Sequence, residues 1–164
     1  MKENSFLEKA KKYWDEGKPI DAGRLIFEAL PNSSRPLWAA QILKIVSEKS
    51  NIQNDMINRL IKMASNQSEW INAKKIFSVI RQTALDLDKK RESGLSKDQE
   101  ILGWVLSLAE LVAKVTYNAI NPFDEFDEDS GWWIASNLNG FCKCLADEDF
   151  TKKAWTILCG QNNG

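Results

Sequence analysis

Apolar residues along this chain recur three and four positions apart, the period that lines one face of an α-helix. From Trp70 they fall at Trp70, Ala73, Phe77, Ile80, Ala84 and Leu87. Ser68 followed by Glu69 supplies a start signal, so a long helix is predicted from that point. A second long helix is predicted behind Ser96 and Gln99, whose spacing matches a capping box: the serine hydroxyl accepts an N–H of the first turn and the glutamine reaches back to the serine N–H. Its stripe runs Leu102, Val105, Ala109, Val112, Thr116 and Ala119, and Ile101, Leu108, Leu111 and Val115 widen it to most of the circumference. A helix apolar nearly all round belongs inside a protein, so 101–119 is predicted to be the central element.

Shorter helical patterns occupy 4–16, 19–30, 36–49 and 52–65, and two more close the chain at 131–145 and 149–159. Gly17 and Pro19 follow the stop-then-start rule, glycine just past one helix end and proline just inside the next. Pro31 and Pro36 flank a second connection. No run alternates apolar and polar residues between turn signals as a strand would. The expected fold is all-α, an irregular antiparallel bundle of about seven to eight helices in one domain over 1–164. At 164 residues such a domain buries roughly 70% of the surface its unfolded chain exposes, enough for a substantial core.

The opening hairpin carries a family likeness. Phe6, Ala10, Tyr13, Ala22, Ile26 and Ala29 stand where a tetratricopeptide hairpin places its packing residues, with small side chains where the two helices approach. Residues 6–31 resemble one such hairpin, which implies close packing at Ala10 and Ala22. No second hairpin shows the same set, and a solenoid needs about three repeats for stability. The resemblance therefore implies a tetratricopeptide-like hairpin opening the bundle, not an array.

Composition removes several classes of function. The chain has no histidine, so it offers no imidazole base, no histidine zinc ligand and no histidine pH switch. No other catalytic or cofactor motif is legible, and neither an enzyme nor a bound cofactor is expected. Residues 101–120 are long enough to span a bilayer but hold Glu110 and Lys114, which would each cost roughly 2.5 to 3.5 kcal/mol at mid-membrane. In water the same two side chains are expected to form an i, i+4 ion pair, so no membrane association is expected. Cys142, Cys144 and Cys159 form an odd set confined to the C-terminal part. They read as reduced thiols in a cytoplasmic setting, because the first residues also lack the apolar run of a secretory signal. Cys142 and Cys144, two apart on a helix, do not share a face and have no further ligands beside them, so small hydrophobes are expected there instead of a metal site.

The segment NPFDEFDEDSGWW (121–133) is chemically the densest in the chain, with Asp124, Glu125, Asp127, Glu128 and Asp129 among Phe123, Phe126, Trp132 and Trp133. A calcium loop of the EF-hand type fails in register: with Gly131 at position 6, Phe126 takes position 1, where an oxygen ligand is needed, and Asn137 takes position 12, where a glutamate is needed. A looser divalent-ion site and a carboxylate hydrolase remain as readings, although acids consecutive in a loop are poorly placed to face a cleft as an acid and base pair. Asp129 or Ser130 is a suitable helix cap, and carboxylates favour a helix N-terminus. Capping engages one or two of the five acids and leaves the others without a role.

Charge distribution sharpens the matter. Residues 1–120 hold 19 basic and 15 acidic side chains, net +4, whereas 121–164 hold 3 basic and 8 acidic, net −5. A solvent-exposed docking loop for a protein partner with a basic surface is expected, Asp124, Glu125, Asp127, Glu128 and Asp129 attracting it and Phe126 or Trp132 anchoring it. An immunity or inhibitor protein covering a basic toxin surface is a narrower form of the same expectation, and a loop that balances the basic half of its own chain is the plainer one. Nucleic acid is not expected as a partner, because basic residues are mixed with acidic ones and the isoelectric point is about 5.6.

Overall fold

The described residues form eight α-helices and no strand. They are α1 (Lys2–Asp15), α2 (Pro19–Ala29), α3 (Arg35–Ser50), α4 (Asp55–Met63), α5 (Ala73–Asp88), α6 (Lys97–Asn118), α7 (Ser130–Leu145) and α8 (Glu148–Leu158), joined in part by short 3-10 turns at Asn32–Ser34, Gln67–Asn72 and Arg91–Ser93. The structure, a computed structural model, describes residues 2–120 and 130–159, with side chains from Ser5 onward.

The helix ends follow local chemistry. Gly17 takes a left-handed φ of 76° after α1, and the Lys18 N–H closes back onto the Tyr13 carbonyl at 2.8 Å before Pro19 opens α2. Asn51, also left-handed, ends α3. Asn54 caps α4 by accepting the N–H groups of Met56 and Ile57. The Ser96–Gln99 capping box forms in both directions, at 3.2 and 2.9 Å. Asp147 caps α8 through the Phe150 N–H at 3.0 Å and accepts from the Lys49 ammonium at 2.7 Å, which ties the end of α3 to the start of α8. That ammonium, with the Phe150 N–H, holds the Asp147 carboxyl below the usual carboxylate range.

Two local expectations are corrected. The helix expected from Ser68 and Glu69 starts later: Gln67–Asn72 is a 3-10 turn and α5 begins at Ala73. Ser68 bonds to the Asn66 side chain instead of capping a helix. The buried Trp70 donates its indole N–H to the Met63 carbonyl at 2.9 Å, which fixes the turn against the end of α4. With that start the buried line of α5 is Ala73, Ile76, Ile80 and Leu87, while Phe77 and Ala84 sit at its edge, half-buried. The expected pairing of Glu110 with Lys114 is also absent among the described residues. Glu110 instead faces Arg81 and Asp88 of α5, and burial pushes its carboxyl above its ordinary value of 4.5 even though Arg81 pulls it down.

The sign of that shift gives a test. A carboxyl whose folded pKa is raised contributes stability in its protonated form, fully present below the unfolded value and lost as pH rises through the folded one. Glu110→Gln removes the titration. The variant is expected to be more stable than the parent at neutral pH, with the gain disappearing below about pH 4. Chemical denaturation at the two pH values measures this, and an equal effect at both would deny that burial of the charge is its source.

α6 packs against α3, α4, α5, α7 and the Gln67–Asn72 turn. Val105, Leu106, Leu108, Ala109, Val112, Ala113, Val115 and Thr116 are buried on it, and the Thr116 hydroxyl is satisfied by the Val112 carbonyl at 2.7 Å. A second central helix, α3, was not foreseen. Trp38, Ala39, Ala40, Ile42, Leu43, Ile45 and Val46 bury several sides of it, and the Trp38 indole N–H donates to the Leu158 carbonyl at 2.7 Å, locking the chain's last helix onto its third. Paired rings tie further elements together: Trp14 with Trp155 at 5.1 Å and Phe141 with Phe150 at 5.5 Å. Ala10 and Ala22 are both fully buried where α1 meets α2.

α2 and α7 approach each other closely at two glycines. A Cβ built on Gly23 would overlap the Ala135 methyl and stand 3.0 Å from the Gly131 carbonyl oxygen. A Cβ on Gly131 would run into the Phe27 side chain. This contact seats the first turns of α7 on α2.

Candidate functional site

Of the residues expected to meet a partner, Asp124, Glu125, Phe126, Asp127, Glu128 and Asp129 lie outside the described residues; Trp132 lies within them. The two ends of the segment are well placed. On one side the turn after α6 is closed by the Ala119 N–H on the Val115 carbonyl and the Ile120 N–H on the Tyr117 carbonyl. On the other, α7 runs from Ser130, which is buried in its first turn. Just before the segment, Asn118 is buried and its side-chain amide nitrogen has no hydrogen-bond partner among the described residues. A buried donor left unmatched costs roughly 1 to 3 kcal/mol.

Trp132 and Trp133 divide as adjacent helical residues must. The buried face of α7 carries Gly131, Ile134, Ala135, Leu138, Phe141 and Cys142. At roughly 100° per residue, Trp132 stands beside that face and Trp133 nearly opposite to it. Trp132 is accordingly half-buried, whereas Trp133 is 49% exposed. Their rings meet edge to face at 4.4 Å. Trp133 is thus the more exposed aromatic of the pair, and the expected anchor Trp132 is half-buried beside it.

A second surface feature escaped the sequence reading. A groove of about 360 Å³ opens beside the start of α6, lined by Arg91, Leu95, Glu100, Gly103, Trp104 and Ser107. Glu100, Trp104 and Ser107 are spaced four and three apart, on the side of α6 turned away from its buried stripe. Trp104 lies across Gly140 of α7, whose missing side chain leaves room for the indole: a Cβ there would stand 2.6 Å from it. The ring is still 37% exposed. Arg91 is held by Asp88 through two bonds, at 2.9 and 3.3 Å. The Glu100 side-chain carboxylate has no hydrogen bond or ion pair among the described residues. Trp104 lies three positions after Ile101 and four before Leu108, at the edge of the widened apolar face, so periodicity alone does not set it apart.

The other candidate chemistries are quiet. Lys89 and Arg91, at the end of α5, each pair with an acid one turn back, Asp86 at 3.6 Å and Asp88 at 2.9 Å. Cys142 and Cys159 are buried and Cys144 half-buried, all three free thiols. Burial pushes the Cys142 thiol up and the Cys159 thiol up to about 12, which disfavours the reactive thiolate. Among the described residues no group of three or more cysteine and carboxylate side chains is arranged to hold a metal ion, and no helix is long and apolar enough to cross a membrane. No protein-family model, no curated protein and no solved structure matches this chain.

Proposed function

We propose that this chain is a non-enzymatic, cytoplasmic protein-interaction module whose acidic and aromatic segment, 121–133, receives a protein partner with a basic surface. The observation that carries the reading is the outward Trp133, 49% exposed on the first turn of α7, directly after five carboxylates in six positions. Aromatic side chains presented beside charge are the usual anchors of protein interfaces, and complementary fields speed encounter. The concentration of negative charge in 121–164 against a net positive remainder supports a basic protein over a nucleic acid. A tetratricopeptide manner of packing for the first hairpin belongs to the same proposal, supported by the complete burial of Ala10 and Ala22.

The test converts Asp124 and Asp127 to Asn and Glu125 to Gln together, after proteins captured by the immobilised parent chain have been identified. If these acids serve a docking surface, the change should shift stability by no more than about 0.5 kcal/mol. Association should slow and lose much of its salt dependence, whereas Phe126→Ala should chiefly speed dissociation. Loss of stability in the triple variant would assign the acids to a structural brace instead.

A further inference from the structure

We infer that the groove beside α6 is a second contact for the basic partner, one that seats a lysine side chain between the Glu100 carboxylate and the Trp104 ring. The inference rests on the proposed basic partner and names where on the described surface its cation would go.

Three features of the groove converge on a cation. Its carboxylate, Glu100, has no partner among the described residues, while its one cation, Arg91, is already engaged by Asp88 at 2.9 Å. The unmet charge is therefore negative. Trp104 stands one turn along from Glu100, so both project from the same side of α6. The indole is positioned against Gly140 and remains 37% exposed as part of the groove wall. A cation over an indole face is attracted by the ring quadrupole, most strongly for tryptophan among the aromatic residues. Finally, the volume, about 360 Å³, falls in the range of pockets that hold a small ligand. It accommodates a lysine side chain with its aliphatic stem along Leu95 and the indole, as such stems lie along apolar surface.

A blocked tripeptide, glycyl-lysyl-glycine, is the probe, with the norleucine analogue as its uncharged control and a glutamate tripeptide as its opposite. Titration into the full chain, followed by the indole N–H signal of Trp104 and the amide signals of Glu100 and Ser107, is expected to give saturable shifts with the lysine peptide alone. Glu100→Gln and Trp104→Leu are each expected to weaken binding roughly two- to fivefold, the scale of one exposed ion pair or cation–π contact, and Glu100→Asp to restore part of it. Absence of saturable shifts with the lysine peptide overturns the inference. So does binding of the glutamate peptide that depends on Arg91, because the groove would then be an anion site. With the natural partner, unchanged affinity in Glu100→Gln overturns the groove alone. Unchanged kinetics in the triple amide variant overturns the docking segment alone, so the two ideas fail separately.

Discussion

Leu108→Ala is expected to cost roughly 2 to 5 kcal/mol in chemical denaturation, the usual range for truncating a fully buried leucine. Leu108 is 1% exposed in a helix that touches four other helices, so collapse around the missing atoms would require several elements to shift at once. The cost belongs at the upper part of that range when the site cannot collapse, because the cavity adds to the lost transfer energy. Leu111→Ala, one turn on but half-buried, serves as the control and should cost clearly less. A loss below about 1 kcal/mol for Leu108→Ala would mean that α6 is peripheral and that the packing described for α3 and α5 around it is wrong.

Gly23→Ala carries the second large effect, and its sign is informative. In an exposed helix interior the change would stabilise by about 1 kcal/mol, since glycine is the poorer helix former. Here the added methyl overlaps the Ala135 methyl and approaches the Gly131 carbonyl oxygen to 3.0 Å. Those atoms belong to, or sit next to, helix backbone and cannot swing aside as a long side chain could. Overpacking of this kind costs typically 1 to 3 kcal/mol, which outweighs the propensity gain, and net destabilisation is expected. Ala135→Gly in the same chain removes one of the two overlapping methyls and should recover part of the loss beyond additivity. A stabilised Gly23→Ala variant would show that α2 and α7 are farther apart than described.

The same contact explains what the sequence could and could not convey. Helix identity was legible because the apolar period and the caps are local: Gly17 with Pro19, and Ser96 with Gln99, each act within a few residues of themselves. The start of α5 was misplaced because Trp70 fits the helical period while its indole N–H is satisfied by Met63, a partner from the preceding helix. α3 was read as one helix among several, since its core role depends on being wrapped by α4, α6, α7 and α8; only the nearly charge-free run from Trp38 to Leu43 hinted at it. Gly23, Gly131 and Gly140 carry no apolar signal, yet they set the α2–α7 approach and the seat of Trp104. Trp133, by contrast, was within reach. Placing Ile134, Ala135 and Leu138 on the buried face of α7 points it outward without further information.

The candidate site shows the same division. The charge and aromatic content of 121–133 are properties of the sequence, and the apolar period of α7 separates its two tryptophans, but the seating of α7 on α2 was not legible there. The groove needed α7 as well, because Trp104 is held by a glycine thirty-six positions along the chain.

The central claim, that the 124–129 acids attract a basic protein, is tested most directly by the association rate of the Asp124→Asn, Glu125→Gln, Asp127→Asn variant with a captured partner at low and at physiological salt. Electrostatically steered association exceeds the unsteered rate by tenfold or more at low salt and falls steeply as salt screens the field. The account predicts a slower on-rate for the variant at low salt, about tenfold, a difference that narrows at physiological salt, and a nearly unchanged off-rate. Equal on-rates for parent and variant at low salt would contradict it.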